Sequence, residues 1–524
     1  MAQRFEVPGF FSYDNASSDN KKFQYRKTRK RLVGVYGEFR ADWKSSVFFT
    51  FTGRNDWTST LPLDNRSYFY PSYSGAVVVT QLLRELNIAD DFGPLTFAKL
   101  RVSHAKVGKD TGAYETATAL WPVGTYNGGL VGLGNEWSRG NPYLKPEMTK
   151  STEIGLELRF FNNRLKFDYA YYTNDSYNQI LSPRGPQSTG YIFCSTNSGN
   201  VLNKGMELAI SGTPIQTKDW TWETSINLAG NRGRLEGLLP GMDIMYVTDV
   251  QYGNAQAASF SGGHFMAISG KKFQYDKQGH VVLSPTNNMP LTNDGNSYEV
   301  GNREPTVSGG WNNTLMWKDW SFNMLWEFRF GGDVFNGTQY AMDQWGTSQF
   351  SADVRQKPLT VEGVYIDGYE ENPKTGKEEP VYSAPVSFTY DPYQVYYTSF
   401  KKGADGQYVG EETSKMLGYN IIKNYYQNYY AFNTRNYITK VNSLRLRSIS
   451  LSYSVPKSFL AKTKCIKRAM LTASATNLLL FTNYNGDPEA AASGAGVGGS
   501  SSVGFDYCTV PATASFAFGI NLTF

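Results

Sequence analysis

The chain has 524 residues, with 51 Lys and Arg against 46 Asp and Glu, and a mean hydropathy of -0.44. The excess of +5 is spread without a basic block, so no electrostatic footprint for nucleic acid is present. No apolar run approaches the roughly 18 residues that a spanning helix needs, which excludes membrane helices but not a membrane barrel. Barrel strands alternate and average out as hydrophilic, and the 36 Tyr, 32 Phe, 11 Trp and 51 Gly are what aromatic girdles and tight turns would consume.

Residues 1–30 are polar and irregular and are expected to be loop. Met1 is followed by AQRFEVPGFF, which has no basic n-region, apolar core or cleavage site. The protein is therefore expected either not to be exported or to lack its beginning. A first strand is expected over Arg31–Ala41, then Val47–Gly53 with Val47, Phe49 and Phe51 on one face, then Ser67–Thr80. A short helical stretch, Gln81–Asn87, precedes a strand over Leu95–Val107, and a loop of Gly and Asn follows to Thr149. The clearest hairpin comes next. Ile154, Leu156, Leu158 and Phe160 oppose Glu153, Glu157 and Arg159; after a turn at Phe161–Arg164, Leu165, Phe167, Tyr169 and Tyr171 oppose Lys166, Asp168 and Ala170.

Beyond a loop at Asn178–Asn200, strands are expected over Val201–Gly212 and Trp220–Asn231, joined briefly by Thr213–Asp219. A long excursion, Arg232–Arg303, leads to Val307–Trp317 and Ser321–Phe330, with only Lys318–Trp320 between them. The largest excursion is Gly331–Thr439. Strands follow over Val441–Val455 and Ala469–Asn477, around the connection Pro456–Arg468, and a last loop runs through Asp506. Leu444 and Leu446 change phase to Ile449, Leu451 and Tyr453, as a β-bulge does. The chain closes on FAFGINLTF, where Phe516, Phe518, Ile520, Leu522 and Phe524 occupy every second position.

About thirteen strands result, and their connections alternate short and long. A sandwich has no reason to keep its long loops at one end, whereas outer-membrane barrels have short periplasmic turns and long extracellular loops. Trp43, Phe161, Trp220, Trp222, Trp317, Trp320 and Phe524 all lie near the short-turn side, as an interfacial girdle requires. The expected fold class is all-β, a transmembrane antiparallel β-barrel with long extracellular loops.

The stretch NPYLKPEMTKSTEIGLELRFFNNRLKFD from Asn141, GNREPTVSGGWNNT from Gly301, SLRLRSISLSYSVPKSFL from Ser443 with ATNLLLFTNYNGDPE after it, and the closing GINLTF resemble the C-terminal half of SusC/RagA-type TonB-dependent transporters of Bacteroidetes. That resemblance implies a 22-stranded outer-membrane barrel with an internal plug. It also implies a SusD-like surface lipoprotein acting as a lid, and import of oligosaccharides or peptides driven through the TonB complex. The chain would then be a fragment, with residues 1–30 the remnant of an extracellular loop and 31–524 the C-terminal part of the barrel. Phe516, Phe518, Ile520, Leu522 and Phe524 would face outer-membrane lipid or its rim, and this end would be the signal read by the barrel-assembly machinery. A passive pore, or a structural or adhesive barrel, is the alternative.

Chemistry is mostly declined by the sequence. Gly494–Gly499 fits GxGxxG but lacks the strand before it and the helix after it. His104, His264 and His280 are scattered without a second ligand, so no metal or cofactor is expected, and no nucleophile elbow is present. Cys194, Cys465 and Cys508 form no framework, although Cys194 and Cys508 fall in loops on one side and could be bridged. Lumen-facing Glu207, Glu223, Glu327 and Arg329 are candidates to tune selectivity, their mixed sign favouring neither anions nor cations. Tyr425, Tyr426, Tyr429 and Tyr430, with Tyr393, Tyr396 and Tyr397, put amphipathic rings in the largest loop, where they could meet a sugar or a partner protein.

Overall fold

Thirteen strands follow one another through a single antiparallel sheet in strict chain order. They are β1 (Leu32–Trp43), β2 (Val47–Thr58), β3 (Ser67–Val78), β4 (Leu95–Lys109), β5 (Glu147–Phe160), β6 (Leu165–Tyr177), β7 (Asn200–Gln216), β8 (Trp220–Gly237), β9 (Val307–Trp317), β10 (Trp320–Asn336), β11 (Ile438–Ser454), β12 (Arg468–Thr482) and β13 (Ser515–Thr523). This computed structural model describes residues 27–126, 130–248, 251–292, 297–373, 376–403, 408–460, 465–491 and 503–524. Residues 1–26 of the expected first loop, and the glycine run Gly494–Gly499, lie outside them.

Side-chain alternation sorts the sheet into two faces. Leu100, Leu156, Tyr169, Leu208 and Leu228 are successive cross-strand partners and form one apolar row over five strands. One residue along, Arg101, Gly155, Ala170, Glu207, Ala229, Ser308 and Arg329 form the matching row on the other face. The apolar row faces outward, and such rows cover the outside because a charge at the bilayer midplane costs roughly 2–4 kcal/mol. Outward tryptophans keep their N–H groups bonded: Trp311 Nε1 donates to Thr224 Oγ1 at 2.9 Å and Trp222 Nε1 to Asn313 Oδ1 at 3.2 Å. At the short-turn rim, Trp220 stacks on Trp317 with centroids 5.5 Å apart, and Trp320 lies 4.5 Å from Tyr453.

The phase change in β11 is a bulge. Register slips on both sides of Arg447, between Leu446 and Ser448 against β12 and between the partner residues Leu325 and Trp326 of β10. Without the extra residue, Leu444 and Leu446 would face the opposite side from Ile449 and Leu451. The hairpin turn at 161–163 takes left-handed backbone at Phe161, Asn162 and Asn163, a conformation that asparagine tolerates well.

Several strands run past their expected ends. β2 continues to Thr58, β7 to Gln216, β8 to Gly237, β10 to Asn336 and β12 to Thr482. The ladder is extended by main-chain bonds that need no apolar alternation, so the added residues read as loop from their side chains. The helix covers Val79–Glu85, slightly before the expected Gln81–Asn87. The long excursions also hold more structure than their composition indicates, with short sheets over Ile244–Asn302, helices Gly337–Trp345 and Gln349–Val354, and paired strands between Leu359 and Leu417. The Cys194–Cys508 bridge is absent: Cys194, Cys465 and Cys508 are all free thiols.

Phe518 and Ala517 test the assignment of faces. Phe518→Arg is expected to destabilise the folded barrel by about 2–4 kcal/mol in urea titrations followed by heat-modifiable gel mobility, and Ala517→Ser by less than about 0.5 kcal/mol. Equal costs at the two positions would refute the assignment.

Candidate functional site

The inner face of the sheet is a polar wall. Arg101 reaches across β5 to Asp168 on β6, donating at 2.8 and 3.2 Å, and lies 3.5 Å from Glu153. Gly155 makes this possible, because a Cβ there would stand 2.3 Å from Arg101 Nε. Nearby, Tyr172 donates to Asn231 at 3.2 Å, and Asn231 bonds Asn203 at 3.1 Å. Glu207 joins Ser151, Glu153, Asn174 and these groups around one open polar recess. Glu223 is on the same face, opposite Thr314, and is exposed.

The remaining two candidates differ from these. Glu327 is paired with Arg447, and Arg329 is half-buried, donating to the carbonyl oxygens of Gly331 and Arg303 at 3.2 Å each. Arg329 therefore braces the base of a loop as well as lining the wall. Glu327 belongs to an ionic knot. Arg445 is paired with Asp487 and lies 3.4 Å from Glu489, while Arg447 holds Glu489 at 2.5 Å in addition to Glu327. Arg445 and Asp487 are almost fully buried, and Asp487 also accepts from the backbone N–H groups of Glu489 and Ala512. Sequence reasoning missed Arg445, Arg447, Asp487 and Glu489. The available signal was Arg447 at the point where the apolar phase flips.

Above the wall, the long loops share cores. Tyr252, Ala255, Ala257 and Ile268 from one loop meet Phe335 at the top of β10, Ala431 and Tyr437 from the next loop, and Phe505 from the last. Phe505–Asp506 also pairs parallel with Phe335–Asn336, adding main-chain bonds to the latch. Arg303 lies buried beneath, with its guanidinium 5.6 Å over the Phe505 ring, and burial lowers its pKa to about 10. A second core joins Leu283 and Met289 to Leu359, Val361, Tyr390, Ile421 and Ile422. These loops form one folded cap.

Tyr425–Tyr430 is a π-helical turn continuing the helix Gly418–Asn424. Tyr425, Tyr426 and Tyr429 pack on the second core and Tyr430 on the first, so the four rings are half-buried. Tyr425 meets Tyr426 edge-on at 5.2 Å, and Tyr430 meets Tyr437 edge-on at 6.1 Å. Tyr429 and Tyr397 line a cavity of about 230 Å³ with Tyr390, Asn287, Met416 and Asn424, while Tyr393 stands 78% exposed. Among the described residues no group of three His, Cys, Asp or Glu could hold a metal ion. His104 lies on the outward face beside Thr152, and His264 and His280 pair with Glu299 and Asp276 in the cap.

Residues 3–274, more than half the chain, match the family described as TonB dependent receptor-like, beta-barrel. The chain belongs to the TonB-dependent receptor β-barrel family. This receptor barrel is thus an outer-membrane protein, of a family of transporters and receptors rather than enzymes. It is 26% identical over 528 residues to TonB-dependent receptor P3 of Formosa agariphila, covering 94% of this chain and 45% of that protein. It is 28% identical over 313 residues to TonB-dependent receptor SusC of Bacteroides thetaiotaomicron, covering 56% of this chain and 30% of SusC. The receptor barrel therefore spans about half or less of the relatives it matches. Among solved structures, the RagAB peptide importer in its closed-closed state shares the fold, with a TM-score of 0.70 at 19% identity over 100% of this chain and 51% of that one.

Two outcomes follow for the receptor barrel. Asp487→Ala leaves the buried Arg445 with Glu489, 3.4 Å away, as its remaining carboxylate and is expected to cost about 3 kcal/mol in urea unfolding, whereas Glu223→Gln on the open wall costs less than about 0.5 kcal/mol. Burial raises the Tyr425 and Tyr365 phenols to about 12, from about 10 in the unfolded chain. The unfolded state then loses those protons first, so cap stability is fully present below pH 10 and falls as pH rises through 12. Limited proteolysis across that interval should cut the cap between Leu359 and Tyr437 before the barrel loses its heat-modifiable mobility.

Proposed function

We propose that this chain is the C-terminal part of a TonB-dependent importer that takes oligosaccharides or peptides across the outer membrane together with a SusD-like surface lipoprotein. In this proposal, residues 1–30 belong to an extracellular loop and 31–524 to a barrel of 22 strands. The TonB complex acts through the part of the relatives' length that this chain does not cover. The observation that carries the reading is the ordered cap of three interlocked loops over a polar inner wall. Such a cap gives a lid protein a fixed surface to close on, and the wall of mixed charge passes solutes of either sign or none.

Tyr425, Tyr426, Tyr429 and Tyr430 are proposed as partner or solute contacts, their half-buried rings presenting flat edges at low entropic cost. Glu207, Glu223, Glu327 and Arg329 are proposed to line the path. Phe516, Phe518, Ile520, Leu522 and Phe524 are proposed to face lipid and its rim and to be read by the barrel-assembly machinery. The fold likeness to RagA and the kinship with SusC support the pairing with a lipoprotein.

The test is uptake of fluorescent oligosaccharides and peptides by cells carrying the whole protein, with and without an uncoupler, alongside affinity isolation from the outer membrane. An importer loses uptake when the proton-motive force is dissipated and brings down a surface lipoprotein in near-equal amount. Uptake that survives the uncoupler would favour a passive pore.

A further inference from the structure

The outward face is not uniform around the sheet. Outward positions of β1–β3, of β9 and β10 up to Phe330, and of β11–β13 from Leu444 onward carry no charged side chain. On β4–β8 the same phase carries five cations, Lys106, Lys150, Lys204, Arg232 and Arg234, together with Asp175, all near the long-loop end. Lys106 of β4 stands directly opposite Lys150 of β5, and Lys204 of β7 directly opposite Arg232 of β8. Both pairs continue the outward series that includes Val102, Ile154, Met206 and Leu208 below them.

Their height is set by the strands. Lys150 is ten residues up from Phe160, Lys106 eleven from Leu95, and Arg232 twelve from Trp220. With a rise of about 3.3 Å per residue and a tilt of about 40°, these cations stand about 25–30 Å above the periplasmic rim. That is the top of the apolar band, where headgroups begin. The two pairs are about 12 Å apart, from two interstrand spacings and a two-residue offset.

Like charges directly opposite each other on a sheet destabilise it, and among the described residues no ion pair within 4 Å offsets these. The inner-face acids nearby are engaged elsewhere, Glu153 and Asp168 by Arg101 and Glu147 by Lys109. Lys106, Lys150, Lys204 and Arg232 have no ion-pair partner within 4 Å among the described residues. Asp175 stands opposite Lys150 on the same face, and the Lys150 ammonium sits 4.9 Å over the Tyr177 ring. Two cation pairs without an ion-pair partner within 4 Å, aimed at the lipid at headgroup height and on one sector only, call for an external anion with a fixed place in the membrane.

We propose that β4–β8 form a binding surface for the phosphorylated headgroup of an outer-leaflet glycolipid, one phosphate bridging Lys106 and Lys150 and a second bridging Lys204 and Arg232. Acyl chains lie against the apolar rows beneath. The occupied surface fixes the rotational setting of the barrel relative to the lipids around it.

The test is native mass spectrometry of the whole protein in detergent, titrated with diphosphoryl lipid A, with its dephosphorylated form, and with inorganic phosphate. The wild type is expected to bind the diphosphoryl form. Lys106→Gln with Lys204→Gln is expected to weaken that binding roughly 30-fold, and Lys106→Arg with Lys204→Arg to retain it, with heat-modifiable mobility reporting that each variant is folded. Equal binding of dephosphorylated lipid A, unchanged affinity in the glutamine variant, or saturation by inorganic phosphate alone would overturn the proposal. Should the glutamine variant not fold, the phosphate dependence of the wild type and the behaviour of the arginine variant decide it.

Discussion

No water reaches the middle of a bilayer to bond a free N–H or C=O, so a chain that crosses it in extended form must pair every strand with a neighbour. The thirteen-strand ladder meets this demand at its eleven interior strands, with β1 and β13 paired on one side, and imposes the rest. Neighbours joined in chain order must be antiparallel, so turns and loops fall on opposite rims. Because the side-chain period is two, each strand is divided between lipid and lumen, and one slip in register would exchange the two faces. The bulge at Arg447 shows how tightly this holds: one added residue keeps Leu444, Leu446, Ile449 and Leu451 all outward.

The loops obey a different economy. Outside the membrane their backbone is solvated, and ordering long segments costs roughly 1–2 kcal/mol of backbone entropy per residue. That cost is offset only where several loops bury apolar surface together. Phe335 and Phe505, both fully buried, come from a strand top and from the last loop, and they are joined by Tyr252 and Tyr437 from two others. No single loop supplies this core. The cap is cooperative for that reason, and it stands on the barrel through Phe335 at the end of β10.

Much of the fold was legible because lipid enforces a pattern that side chains record. The hairpin from Ile154 to Tyr171, the strand pair around Lys318, whose second strand starts at Trp320, one residue before the expected Ser321, and the closing Phe516–Leu522 alternation all lie at membrane height and appear in the structure. What escaped lies above or below that height. The upper ends of β8 and β10 are held by main-chain bonds among Asn, Gly and charged residues, the added residues of β7 lie at the short-turn rim, and the sheets between Ile244 and Leu417 pair across intervals that no local pattern marks. The tyrosine run was visible as a cluster, but its packing against Ile421, Phe350 and Tyr437 depends on contacts between segments far apart. Of the inner-wall candidates, Glu207 and Glu223 followed from alternation alone. The engagement of Glu327 required Arg447, whose inward reach depends on the bulge.

Arg447 also joins the two parts of the molecule. Its guanidinium touches Glu327 on the wall and Glu489 in the last loop, and Arg445, two residues earlier, holds Asp487 in that same loop. The loop returns through Phe505 and Asp506 to β10, where Asp506 accepts from Tyr484 and Thr338 at 3.0 Å each. A displacement of the cap therefore pulls on the knot, and the knot is anchored at the bulge in β11, where the ladder is interrupted on both sides. A regular strand resists such a pull with every rung. At a bulge the strand has one residue outside the ladder, so a change at the cap can alter the reach of Arg447 towards Glu327 while the apolar outer face stays in register. Through Arg447, the carboxylate of Glu327 on the wall is thus tied to Glu489 in the last loop above it.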